Sequence, residues 1–124
     1  MISKTILYIE DNEHNYYLVK VLLDTRGHKL SWAKDGQEGI DMAGRSTPDL
    51  ILLDIQLPVM NGYEVAQKLR SIPALSGVPI VAVTSYAMAG DREKALAAGC
   101  SGYIEKPINP DTFLAQIDKY LASN

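Results

Sequence analysis

Polar residues that could do chemistry together follow several short apolar runs of the chain. The acids Glu10 and Asp11 follow "TILYI", and Asp54 ends "LILLD". Thr84 ends "IVAVT", and Lys106 follows "GYIE". Each residue alone could be a helix cap or a solvated turn residue, but their joint occurrence favours a functional site. Three carboxylates a few ångströms apart repel by about 4 kcal/mol per pair at an effective dielectric constant of about 20. Such a site should therefore raise a carboxyl pKa or bind a cation.

The chemistry of this set is that of phosphoryl transfer. Carboxylates, a backbone carbonyl and waters are the ligands that Mg²⁺ accepts, and the ion keeps positions open for phosphate oxygens. Lys106 is a compact positive charge that could pair with Asp54 or with a bound anion. Thr84 offers a hydroxyl to the same anion. The set predicts a site in which Asp54 is the nucleophile and the other groups stabilise charge on the phosphoryl oxygens.

The elements that must position these residues alternate between short apolar runs and helix-period segments. This alternation predicts βα units around a parallel sheet, and hence an α/β fold. We expect a doubly wound (βα)5 sandwich of flavodoxin type, with a five-stranded parallel sheet of order 2-1-3-4-5. Ligands of such sheets bind at the carboxyl ends of the strands. The predicted strands are 5–9, 29–33, 50–53, 80–83 and 102–104.

The helices are predicted from their apolar stripes and their caps. We expect the first helix to pack on the sheet through Leu18, Val21, Leu22 and Thr25. The third and fifth helices have comparable stripes, whereas the second and fourth have weaker patterns. The predicted N-caps are Asn12, Asp35, Asn61 and Asn109. Pro110 is predicted at the first helical position after the last of these caps.

Composition limits the classes of function. The 124 residues are expected to form one domain, residues 1–124, and the net charge is −3. No basic surface is indicated, so neither direct nucleic-acid binding nor membrane binding is expected. The single cysteine, Cys100, excludes an internal disulfide and is expected to be a buried core residue. No secretory signal is recognisable, and we expect a cytoplasmic protein.

Four segments together resemble the receiver domain of bacterial two-component response regulators, across essentially the whole chain. They are "ILYIEDN", "LILLDIQLPVMNGYE", "IVAVTSYA" and "GYIEKPI". The resemblance implies that Asp54 accepts a phosphoryl group from a phosphohistidine of a sensor histidine kinase or a histidine phosphotransfer protein. It also implies Mg²⁺ bound by Asp11, Asp54 and the backbone carbonyl of Gln56, with Glu10 acting mainly through a metal-bound water.

The same resemblance implies a switch. Lys106 would contact the phosphoryl group, and the Lys106-Pro107 peptide would be cis. Thr84 would turn inward and Tyr103 would follow it, which changes the face of the fourth helix, fifth strand and fifth helix that binds a downstream protein target. Tyr86 is expected to slow the entry of water and so lengthen the life of the acyl phosphate.

Three other functions fit the sequence less well. A haloacid-dehalogenase-type phosphatase needs a second carboxylate two residues after its nucleophile, where this chain has Gln56. A flavodoxin-type flavin binder needs a phosphate loop after the first strand, where "EDNEHN" would repel phosphate. The remaining alternative is a phosphorylation-independent interaction adaptor with a receiver fold. We expect a stand-alone single-domain response regulator, with an excised domain as the other reading.

Overall fold

The computed structural model describes residues 3–85 and 90–122. Within these residues it forms five strands, five α-helices and one 3₁₀ turn at Pro73–Leu75. The strands are β1 Thr5–Ile9, β2 Lys29–Ala33, β3 Leu50–Asp54, β4 Ile80–Thr84 and β5 Gly102–Glu105. The helices are α1 Glu13–Asp24, α2 Gly36–Arg45, α3 Gly62–Arg70, α4 Asp91–Ala97 and α5 Pro110–Ala122.

All strands pair in parallel in the order β2-β1-β3-β4-β5, which confirms the predicted topology. Side chains from α2, α3 and α4 pack on one face of the sheet, and those from α1 and α5 pack on the other. Both faces are covered, so the central strands β3 and β4 are buried along their whole length. The carboxyl ends of β1, β3 and β4 therefore meet at one rigid edge.

The strands β3, β4 and β5 each run one residue further than the apolar pattern predicts. Asp54 pairs in register with Val83, and Thr84 pairs with Glu105. Backbone pairing does not depend on side-chain polarity, so a polar residue can end a strand if its side chain finds partners. As a result, Asp54 and Thr84 are fixed parts of the sheet and not of a loop.

The helix caps agree with the sequence. The side chains of Asn12, Asp35 and Asn61 accept hydrogen bonds from backbone N–H groups of the first turns of α1, α2 and α3. Asn109 accepts from the Asp111 N–H at 2.9 Å, and Pro110 is the first residue of α5. These caps start each helix directly after the loop that leaves the site edge.

The predicted stripe of α1 is right for Leu22, which is half-buried against the core, and wrong for the exposed Leu18, Val21 and Thr25. Val19 and Leu23 are fully buried against the sheet, whereas Leu18 and Val21 are 36% and 62% exposed. Nearly every position from Tyr16 to Leu23 is apolar, so several faces of this helix look alike in the sequence. Only the packing of the helix across the sheet decides which of them is buried. No helix among the described residues is long and apolar enough to cross a membrane.

Candidate functional site

Lys106 lies between two buried carboxylates at the carboxyl edge of the sheet. Its Nζ is 3.0 Å from Glu10 Oε1 and 3.4 Å from Asp54 Oδ2. Glu10 is fully buried and Asp54 is 2% exposed. A shared cation offsets the repulsion between two carboxylates that have lost most of their water. The structure thus brings together residues from three strand ends, as the sequence predicts.

The loop after β3 holds Asp54 in place. The Gln56 N–H donates to Asp54 Oδ1 at 2.9 Å, and the Gly62 N–H donates to the Ile55 carbonyl at 3.0 Å. A Cβ at Gly62 would lie 2.5 Å from Ile55 Cα and 2.7 Å from the Asp54 carbonyl oxygen. Only glycine permits this approach, so the loop can fold back tightly against the strand end. Asp54 Oδ1 therefore keeps a fixed hydrogen bond while Oδ2 faces Lys106.

Glu10 has two very different oxygens. Its Oε1 accepts hydrogen bonds from the Tyr8 hydroxyl at 3.3 Å, from Asn15 Nδ2 and from Lys106. Its Oε2 is buried and has no hydrogen-bond partner among the described residues. Burial, and next the adjacent Asp54 carboxylate, raise the pKa of Glu10 to about 7, although Lys106 opposes the rise. A buried orphan oxygen beside a second carboxylate marks a position where a cation fits.

The donor set suits a hard divalent cation. One carboxylate oxygen from each of Glu10, Asp11 and Asp54 can be chosen so that all three lie within 4.8 Å of one another. Asp11 is exposed, so an ion placed here would keep contact with water. Oxygen ligands at an open edge fit Mg²⁺, which dehydrates reluctantly and keeps several of its waters. The residues present therefore fit the metal that the resemblance implies.

The two predicted switch residues lie on neighbouring strands. Thr84 is 2% exposed, and its carbonyl accepts from the Lys106 N–H at 2.7 Å. Tyr103, one strand further, is half-buried against the core on the α2–α4 face. Gln56 Oε1 accepts from the Ser85 hydroxyl at 2.7 Å, which ties the loop after β3 to the end of β4. The Lys106-Pro107 peptide is cis. Tyr86 lies outside the described residues.

Comparison with known proteins decides the family. Residues 6–118 match the family model described as "Response regulator receiver domain". This chain belongs to that family. The receiver matches "Polar-differentiation response regulator DivK" of Brucella anthropi with 41% identity, over 95% of this chain and 96% of that protein. The same protein of Brucella ovis is 40% identical over 96% of this chain and 97% of its own. The receiver domain is thus a signalling regulator of two-component systems.

Solved structures of receivers share the fold. The receiver domain of a Pseudomonas aeruginosa sensor histidine kinase, with magnesium coordinated in its active-site cleft, is 31% identical with a TM-score of 0.89. The match covers 98% of this chain and 99% of that one. The receiver domain of Saccharomyces cerevisiae Ssk1, solved with the histidine phosphotransfer protein Ypd1, is 30% identical with a TM-score of 0.88. That match covers 97% of this chain and 90% of that one.

Three residues of this receiver's site were missed by reasoning from the sequence. Tyr8 and Asn15 bind the Glu10 side chain, and Trp32 Nε1 donates to the Glu10 carbonyl at 2.7 Å. Trp32 also stacks on Tyr16 with ring centroids 4.2 Å apart, so the indole is held from two sides. One signal was present in the sequence: Tyr8 and Glu10 are two residues apart, and such residues of a strand share a face.

Proposed function

We propose that this receiver is the phosphoacceptor of a two-component or phosphorelay system, with Asp54 as the residue that is phosphorylated. The observation that carries the proposal is the position of Lys106, whose Nζ lies 3.4 Å from Asp54 Oδ2 beside the orphan oxygen of Glu10. A buried carboxylate that faces a cation, beside a group of oxygens that fits a second cation, is arranged for an incoming phosphoryl group. Asp54 lies within a strand and pairs with Val83 of β4, whereas Glu10 and Asp11 follow the end of β1.

The transfer converts the Asp54 carboxylate into an acyl phosphate. One carboxylate oxygen forms a bond to phosphorus while the phosphorus–nitrogen bond of a phosphohistidine breaks. The imidazole nitrogen leaves with the electron pair and takes up a proton. Lys106 pairs with the phosphoryl oxygens as its contact with the Asp54 carboxylate is lost. Water later attacks the same phosphorus, so the receiver catalyses only its own phosphorylation and dephosphorylation.

Mg²⁺ would be held by Asp11, Asp54 and the Gln56 carbonyl, with Glu10 Oε2 facing a water of the ion. When bound, the ion supplies positive charge that stabilises the phosphoryl oxygens during transfer. Glu10 contributes negative charge to this position without reaching the phosphoryl group, because its other oxygen is held by three donors. The Gln56 side chain accepts hydrogen bonds from Ser85, which tie the loop that carries this carbonyl to the end of β4.

Phosphorylation would act as a switch through Thr84 and Tyr103. A hydrogen bond from the Thr84 hydroxyl to a phosphoryl oxygen, together with the bond from Lys106, stabilises one arrangement by about 3 to 6 kcal/mol. Moving a population from 1:99 to 99:1 needs about 5.5 kcal/mol, so two such bonds are of the right order. Thr84 and Tyr103 lie on β4 and β5, so the change would reach the α4-β5-α5 face, to which a downstream protein would bind.

The partners follow from this chemistry. The phosphoryl donor would be a sensor histidine kinase or a histidine phosphotransfer protein, which the solved complex of a related receiver with Ypd1 supports. A cytoplasmic location is part of the proposal and agrees with a lone reduced thiol at Cys100. The net charge of −3 supports a protein target over nucleic acid.

Mapping the phosphorylated residue tests the proposal. The protein is labelled with acetyl phosphate and Mg²⁺, and borohydride then reduces any acyl phosphate to an alcohol that peptide mass spectrometry locates. We expect the reduced residue at position 54 in the wild type and in Asp41→Asn, which alters an exposed aspartate of α2. Reduction at Asp11, or at several acids with equal yield, would contradict the role of Asp54. No reduction at all would favour the phosphorylation-independent adaptor.

A further inference from the structure

Tyr8 is a buried phenol near the carboxyl end of β1, and the proposed chemistry does not use it. Its side chain is fully buried in the apolar cluster between the sheet and the helices α1 and α5. Phenylalanine would fill the same volume without bringing a hydroxyl into this core, where an unpaired hydroxyl is costly. The hydroxyl has one partner among the described residues, Glu10 Oε1 at 3.3 Å. Burial and the nearby carboxylates raise the pKa of Tyr8 far above its ordinary value, so the hydroxyl stays a donor.

The donors to Glu10 all meet the same oxygen. Tyr8 approaches Oε1 from the strand, Asn15 from α1 and Lys106 from the loop after β5. Trp32 fixes the backbone of the same residue through the Glu10 carbonyl. Three donors on one oxygen fix the orientation of the carboxylate group, and so they also fix the direction of its other oxygen. Oε2 is buried, has no hydrogen-bond partner in the part of the chain that the structure describes, and therefore points in one direction.

We propose that Tyr8 is a positioning residue, which holds Glu10 Oε1 so that Oε2 alone faces the metal position. The inference rests on the proposed function and adds to it that the geometry of the metal site is set from within the core. Asn15 assists from the helix side. Partners that orient a ligand from behind commonly change metal affinity about 10- to 100-fold when they are lost. Mg²⁺ is especially sensitive to this, because it requires near-ideal octahedral geometry.

Mg²⁺ affinity of Tyr8→Phe tests the inference. Trp32 is the single tryptophan and is bonded to the Glu10 carbonyl, so its fluorescence reports on the site without phosphorylation. Titration calorimetry with MgCl₂ gives the affinity independently. We expect the variant to bind Mg²⁺ about tenfold more weakly than the wild type.

Tyr120→Phe is the matched control. It removes a hydroxyl from the same apolar cluster, but its ring packs beside Gly102 at the start of β5, away from the carboxyl edge. We expect unchanged Mg²⁺ affinity in this variant. A Tyr8→Phe protein that is folded by circular dichroism and binds Mg²⁺ within twofold of the wild type would overturn the inference. If both variants weaken binding equally, the effect belongs to core packing and the inference also fails.

Asn15→Ala keeps the inference testable if Tyr8→Phe does not fold. It removes a second donor to Oε1 from the half-buried surface of α1 without touching the core. We expect weaker Mg²⁺ binding here too, and an unchanged affinity would count against the positioning of Oε1. The failures remain separate: a wild type that is not labelled at Asp54 refutes the proposed function, whereas a wild type that is labelled and insensitive to both changes refutes only the inference.

Discussion

Glu10→Gln should stabilise the metal-free protein at neutral to alkaline pH. In the folded wild type the pKa of Glu10 is raised from 4.5 to about 7, first by burial and then by Asp54. Each unit of pKa difference between the folded and unfolded states corresponds to about 1.4 kcal/mol. The raised pKa of Glu10 therefore lowers the free energy of unfolding by about 3 kcal/mol when Glu10 is charged. Glu10 is fully buried, so this value is not reduced for exposure to solvent. A glutamine keeps an acceptor for Tyr8 and Lys106, and its amide can donate to Asp54.

The sign follows from proton counts. Between the two pKa values the folded state holds the proton of Glu10 and the unfolded state does not. The wild type therefore loses stability as the pH rises from about 4.5 to about 7, and the contribution is fully present below the unfolded pKa. Glu10→Gln has no such titration. We expect the two proteins to differ in pH dependence by about 2 kcal/mol between about pH 5 and about pH 8, with the variant favoured at the higher pH.

Urea denaturation in the presence of EDTA, at about pH 5 and about pH 8, measures the free energy of unfolding of both proteins. The control is Glu93→Gln, which alters an exposed residue of α4. Mg²⁺ at a hundred times its dissociation constant should return about 2.7 kcal/mol to the wild type and much less to Glu10→Gln. If wild type and Glu10→Gln differ in stability by the same amount at both pH values, Glu10 is not a buried carboxyl with a raised pKa, and the reasoning is refuted. An equal gain from Mg²⁺ in both proteins would refute its part in metal binding.

The turn after β3, the glycine behind Asp54 and the buried thiol each give a further prediction. Val59 is fully exposed and has a φ of 68°, where a β-branched residue is strained. Val59→Gly should therefore raise the free energy of unfolding, measured in urea, by about 1 kcal/mol. A lower stability of this variant would contradict the prediction. Gly62→Ala should lose about 1 to 3 kcal/mol and slow labelling of Asp54, whereas Gly44→Ala, whose Cβ would meet nothing within 4 Å, should lose no stability. Burial raises the pKa of the Cys100 thiol to about 11. Native protein should therefore react with a thiol reagent at about pH 8 about a hundredfold more slowly than protein unfolded in urea. Equal rates would show that the thiol is accessible in the native protein.

The strand order and the convergence of the site could be predicted because they depend on the chain's periodicity. Apolar runs of strand length fix where the sheet lies, and parallel strands place their carboxyl ends at one edge. The acids, Thr84 and Lys106 therefore had to meet once the order 2-1-3-4-5 was chosen. The caps were equally readable, because Asn12, Asp35 and Asn61 act on backbone within three residues.

What the sequence could not predict depends on packing between elements. Tyr8 looks like any apolar strand residue, and only the three-dimensional position of its hydroxyl relates it to Glu10. The buried face of α1 was predicted correctly only for Leu22, because the helix is apolar on several sides. No local pattern singles out Arg70, yet its guanidinium donates to the carbonyls of Gly99, Leu75 and Val78, each at 2.7 Å. Such contacts join residues that are distant in sequence and leave no local pattern.

Phosphorylation of Asp54 is the central claim, and intact mass after incubation with acetyl phosphate tests it most directly. Wild type and Asp54→Asn are compared with Mg²⁺ and with EDTA. We expect the wild type to gain the mass of one phosphoryl group only with Mg²⁺, and Asp54→Asn to gain none. A wild type that gains no phosphoryl group, or a gain that persists in Asp54→Asn, would contradict the account.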